Sequence, residues 1–134
     1  MILSCRILDN VVDVNNFDYV NQFESTQGDA NTIYFQLMDA SVDKASGGFV
    51  PPGRRYMPAV GATLIVIVDT LDDAKKINRS AVQPFATQDP SLWSFQILST
   101  DPIRGTSNLK LTLSEGLKIT RGVARTAISI SPAQ

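Results

Sequence analysis

In Leu109-Lys110-Leu111-Thr112-Leu113-Ser114 every second side chain is leucine and every intervening one is polar. Only an extended strand, whose side chains point alternately to opposite faces, sets such a run with one face on a core and the other in solvent. The same period of two recurs in Thr32-Ile33-Tyr34-Phe35-Gln36-Leu37 and again at Trp93, Phe95 and Ile97. Ala62-Thr63-Leu64-Ile65-Val66-Ile67-Val68 is apolar on both faces and predicts a central strand covered on both sides. Strand material is also expected at 117–120 and 126–130, around Gly122, and more weakly at Phe17-Asp18-Tyr19-Val20, which reads as an edge. The expected core is therefore Ile33, Phe35, Leu37, Leu64, Val66, Val68, Trp93, Phe95, Leu109, Leu111 and Leu113.

Turn chemistry separates these runs. Gln27-Gly28-Asp29, Asp101-Pro102, Arg104-Gly105 and Glu115-Gly116 are plausible reversals, and the last predicts a hairpin over 105–119. Pro84 confines 81–85 to an edge or an irregular extension. Helix is expected to be at most one or two short turns, at 70–76 and at Asp89-Pro90-Ser91-Leu92, where a cap residue precedes proline. Short strands with turns every ten to fifteen residues predict an all-β chain, a single antiparallel β-sandwich spanning 1–134. At 134 residues, 43% of them hydrophobic and 19% charged, the chain can build a core without a metal or disulfide staple.

Composition narrows the chemistry. The sequence has no histidine, which removes Ser-His-Asp and Cys-His catalysis and His-ligated metals together. Cys5, the only cysteine, cannot form an internal disulfide and reads as a small apolar side chain. No glycine spacing matches a phosphate loop. The acid cluster Asp69, Asp72 and Asp73 lacks calcium-loop spacing, is offset by Lys75 and Lys76, and reads as a solvated face. No enzyme, cofactor or metal site is expected. A net charge of −1 argues against nucleic acid as a partner. The longest apolar stretch, 64–68, is too short to cross a bilayer, and the start lacks a signal-peptide pattern, so folding in a cytoplasm is expected.

The charge is unevenly spread. Residues 1–40 carry one base and six acids, 1 − 6 = −5, whereas 41–134 carry eleven bases and seven acids, 11 − 7 = +4. Ends of opposite sign suit head-to-tail contact between copies or with a neighbour. Residues 1–24 are read as a partner-contacting arm, with 13–18 its most polar stretch. Residues 45–58 hold three of the 8 glycines and three of the 7 prolines, a density that makes them a long loop. Phe49, Pro51, Pro52, Arg54, Arg55 and Tyr56 in that loop are the candidate protein–protein interface. A loop folded back on its own sheet, with Tyr56 and Met57 in the core, is the competing reading.

Read in order, Gln27-Gly28-Asp29 before the 32–37 strand, Pro52-Gly53-Arg54-Arg55-Tyr56-Met57-Pro58 leading into Gly61-Ala62-Thr63, and Gln83-Pro84-Phe85 form a series of landmarks. Asp89-Pro90-Ser91-Leu92-Trp93-Ser94 and the 105–116 run complete it. The series resembles small tailed-bacteriophage virion proteins and is similar to the sandwich domain of phage baseplate upper proteins, over about residues 25–116. The resemblance implies an immunoglobulin-like or related sandwich, and a non-enzymatic structural subunit located in the virion. Head decoration, collar or neck, tail and baseplate are all open. Other virion proteins and copies of itself in a symmetric array are the implied partners. The sequence reaches Gln134 without a receptor-binding module, so a stand-alone component is expected. The alternative is a carbohydrate-binding β-sandwich recognising a host glycan through Tyr56, Tyr19 and Asn31.

Overall fold

The computed structural model describes residues 1–20, 22–41, 54–69, 76–101 and 105–131. They form ten strands: β1 (Leu3–Asp13), β2 (Asn16–Val20), β3 (Gln22–Thr26), β4 (Asn31–Asp39), β5 (Arg54–Arg55), β6 (Thr63–Asp69), β7 (Lys76–Ser80), β8 (Leu92–Ile97), β9 (Gly105–Glu115) and β10 (Lys118–Ser131). All pair into one sheet in the order β5-β4-β1-β10-β9-β6-β7, with β8 also on β4, β2 on β1 and β3 on β10. The chain is all-β, and no helix occurs among the described residues.

The sheet is mixed and curled into a half-barrel, which corrects the expectation of a purely antiparallel sandwich. β10 runs parallel to β3 over Ala127–Ser131 and Gln22–Thr26, and parallel to β1 at Leu3↔Gly122. Alternation shows which side chains face the core but not the direction of the neighbouring strand, so parallel pairs were invisible to it. The expected strand fragments at 117–120 and 126–130 are one continuous strand, β10, which runs through Gly122. Its partner β9 is joined to it by the expected hairpin, with Lys118 opposite Glu115. The two-residue loop opens on Gly116 at φ 61°, the left-handed backbone that a two-residue hairpin of this kind takes at its first position.

Curling encloses one face of every long strand. Ile33, Phe35 and Leu37 of β4, Leu64, Val66 and Val68 of β6, Trp93 and Phe95 of β8, and Leu109, Leu111 and Leu113 of β9 are all buried there. They meet Leu3, Cys5 and Ile7 of β1 and Ile128 and Ile130 of β10. Residues 1–24, expected as a partner-contacting arm, are thus built into the sheet from Leu3 to Leu8. The helical turn expected at 70–76 lies outside the described residues except for Lys76, which opens β7. At Asp89 the cap chemistry holds without a helix: its Oδ1 accepts from the Ser91 N–H (3.1 Å) and from Ser91 Oγ (2.6 Å) within a turn.

Two contacts make this curl possible. The first is at Gly122, where a Cβ would overlap the Leu3 carbonyl. The second joins β7 to β8. Val82 and Ser94 exchange both backbone hydrogen bonds (2.9 and 2.8 Å), just beyond the end of β7. Beside them Arg79 forks onto Asp101 (2.8 and 3.0 Å) and donates to the Gln96 carbonyl (2.6 Å). Asp101 also accepts from the Leu98 N–H at 2.6 Å. The Arg79 hydrogen bond is the main cause that holds the Asp101 carboxyl below its ordinary range.

Gly122→Ala is expected to cost stability at the upper end of the roughly 1–3 kcal/mol typical of overpacking, because the obstruction is backbone and cannot move aside. Gly116→Ala meets open space and is expected to cost only the left-handed backbone term, about 1–2 kcal/mol. Urea unfolding of both variants checks the order.

Arg79→Met is expected to cost about 1–3 kcal/mol by leaving the largely buried Asp101 carboxylate without its charged partner, with Arg79→Lys in between. Because the Asp101 pKa is depressed in the folded state, its contribution is present above the ordinary carboxylate range and is lost as pH falls. Arg79→Met should therefore lose less stability on acidification than the parent chain, as read from unfolding midpoints between neutral and acid pH.

Candidate functional site

Of the candidate interface residues, Phe49, Pro51 and Pro52 lie outside the described residues. Arg54 and Arg55 form β5, a two-residue edge opposite Asp39 and Met38 of β4. The Arg54 side chain is exposed. Arg55 Nη1 reaches Asp89 Oδ2 at 3.1 Å, so the guanidinium lies over the sheet with only part of its surface in water. Tyr56 turns inward. It packs against the core, and its hydroxyl lies 2.8 Å from both oxygens of Glu115, whose Oε2 also accepts from the Ala59 N–H (2.9 Å). Met57 stays exposed. The loop's described end is thus folded back through the β5 pairing, the Arg55–Asp89 contact, Tyr56 and the buried Pro58, while Met57 is left outside.

Arg55 belongs to a chain of polar contacts across the outer face of β1, β4 and the turn before β8. Tyr19 Oη donates to Gln36 Oε1 (2.8 Å), Gln36 Nε2 to Ser91 Oγ (3.3 Å), and Ser91 Oγ to the same Asp89 that holds Arg55. The Arg6 guanidinium lies 5.3 Å from the centre of the Tyr19 ring, a cation–π distance. Gln36, Ser91 and Asp89 are buried, and each is hydrogen-bonded, as burial of polar groups demands. The Asp89 carboxylate is held by a hydroxyl, a backbone N–H and an arginine, the arrangement of a strut that fixes the outer face. Sequence reading missed this network. Its one visible trace was Gln36, an amide between Phe35 and Leu37.

A different surface stands out farther along the outer face of the same sheet, where β6, β9 and β10 face solvent. The run 62–68 was expected to be covered on both sides, yet only Leu64, Val66 and Val68 are buried, and Ile65 is exposed. Register sets Ile65 opposite Thr112, which lies opposite Arg121, and Ile67 opposite Lys110, which lies opposite Val123. Ile119 at 61% and Val123 at 53% exposure on β10, with Ile65 on β6, flank the polar outer row of β9, so this face combines exposed β-branched apolar side chains with two cations. A groove of about 360 Å³ runs along it, lined by Ile67, Lys110, Thr112, Arg121, Gly122 and Val123. Exposed apolar surface rimmed by charge is the character of an interaction site.

Other chemistry is sparse. The Cys5 thiol is buried, and burial pushes its pKa up, away from the thiolate a nucleophile needs. Among the described residues no group of three or more His, Cys, Asp or Glu is placed to hold a metal ion. Asp72 and Asp73 lie outside that set. No protein-family model matches the chain, and no curated protein matches it in sequence.

The Tyr56 phenol is pushed up from an ordinary 10.0 to about 12, first by burial and then by its bond to Glu115. A raised folded-state pKa means that this contribution is whole below about pH 10 and is lost as pH climbs towards 12. Stability in urea should fall across that window, and Tyr56→Phe should flatten the fall. A residue of the slope should remain from Tyr19, whose phenol burial also raises.

Proposed function

We propose that this chain is a non-enzymatic structural subunit of a tailed-bacteriophage virion, a head-decoration, collar or neck, tail, or baseplate component that acts through protein–protein contacts. The observation that carries the reading is the set of exposed apolar side chains on β6 and β10, Ile65, Ile119 and Val123, on either side of β9. Isoleucine and valine at outward strand positions raise the hazard of aggregation unless another surface covers them, and they add nothing to the chain's own core. The resemblance to virion proteins in the order of landmarks from Gln27 to Gly116 supplies the particle. The glycan-binding alternative draws on Tyr19, Asn31 and Tyr56. Their polar groups are already engaged, by Gln36, Ser25 and Glu115 respectively, and this favours assembly.

Mass spectrometry of purified particles should detect the wild-type chain. The double variant Ile119→Glu with Val123→Glu, folded and soluble by circular dichroism and unfolding, should be missing from them. Particles containing that variant at normal copy number would remove the face from the assembly reading, and a wild-type chain absent from particles would remove the virion itself.

A further inference from the structure

We propose that the apolar, cationic groove on β9 and β10 receives the β1–β2 hairpin of a second copy of this chain, joining subunits head to tail. The inference rests on the reading of the chain as an assembly subunit and names the partner of that surface.

The hairpin has the form of an arm. β4 leaves β1 at Leu8↔Tyr34, and beyond that point β2 is the only strand paired with β1 among the described residues. Residues 9–18 therefore make a two-stranded ribbon, a form that is marginal in water unless something packs on it. Its shape is nevertheless well defined by its own side chains. Asn10, at φ 53°, takes a backbone bond to Asp9 and a side-chain bond to Asp18, while Asp13 accepts from the Asn15 N–H and the Asn16 amide. The ribbon carries Asp9, Asp13 and Asp18 with no lysine or arginine, and Val12 stands 77% exposed on it.

The groove offers the complement, with Ile67 and Val123 for an apolar tip and Arg121 for a carboxylate. A molecule does not fill its own groove with this arm. Leu3 sits beside Gly122, six further residues of extended strand carry Asp9 about 20 Å along β1 from that point before the backbone breaks at Asn10, and no residue of the arm lines the groove. The occupant must come from another copy. Arm and groove are different surfaces, so the contact is heterologous and repeats into a ring or an open filament.

Sedimentation velocity on the full chain over a range of concentrations and salt tests this. The wild type should self-associate, less so as salt rises. Arg121→Glu in the groove, Asp13→Lys in the arm, and Val12→Lys, which touches no arm hydrogen bond, should each weaken association by about tenfold or more while remaining folded. An equimolar mixture of a groove variant and an arm variant should associate again, since each brings the surface the other lacks. Association unchanged by these variants, or a wild type monomeric at every concentration, overturns the proposal. Incorporation into particles separates the two readings. If the wild type is monomeric and Arg121→Glu still enters particles, self-docking fails while the virion reading stands. If the wild type is monomeric and Arg121→Glu is excluded from particles, a different virion protein covers the face, and self-docking fails again.

Discussion

The architecture depends on how closely β1 and β10 approach at one point. Leu3 and Gly122 lie side by side in parallel, and the missing side chain of Gly122 leaves room for the Leu3 carbonyl. Farther along, β2 lies on β1 and β3 on β10, so the chain from Asn16 to Thr26 widens the gap that Gly122 closes at the other end. A sheet pinched at one point and spread at another curls, and curling is what hides the leucines of β9 and the aromatics of β4 and β8 on a single inner face. The opposite margin is secured by the short Val82–Ser94 bridge and the Arg79 fork, polar fastenings at the place where a curled sheet would otherwise present bare edges.

The two stretches of the outer face have been resolved in opposite ways. Over β1 and β4, Tyr19, Gln36, Ser91, Asp89 and Arg55 are linked by hydrogen bonds, although the buried Arg6 Nε beside them has no hydrogen-bond partner among the described residues. Over β6, β9 and β10 no comparable covering exists among the described residues, and β-branched apolar side chains remain in water. That asymmetry separates a hydrogen-bonded side of the molecule from one that leaves apolar side chains exposed. The uneven charge along the sequence shows here too, with Lys110 and Arg121 on this face and Asp9, Asp13 and Asp18 on the β1–β2 hairpin.

Period-two alternation made much of the interior legible, because burial of Leu109, Leu111 and Leu113 or of Ile33, Phe35 and Leu37 follows from local geometry alone. Contacts between distant segments were not legible. Nothing near Gly122 announces Leu3, and nothing in Arg79 announces Asp101. The candidate interface was read from composition, which cannot show that Asp89 and Glu115, far away in sequence, bond Arg55 and Tyr56 to the chain's own surface. The more informative signal was the run Leu64-Ile65-Val66-Ile67-Val68, whose second apolar face was assigned to burial. Hydropathy cannot say whether a second apolar face meets the same chain or another one.

Trp93 adds one practical consequence. It is the single tryptophan, sits opposite Phe35 where β4 meets β8, and its indole nitrogen has no hydrogen-bond partner among the described residues. An indole screened from water and from polar neighbours emits at short wavelength and shifts to the red when solvent reaches it. The barrel wall therefore contains its own optical gauge, one that registers loosening of the interior while staying silent to events confined to the outer faces.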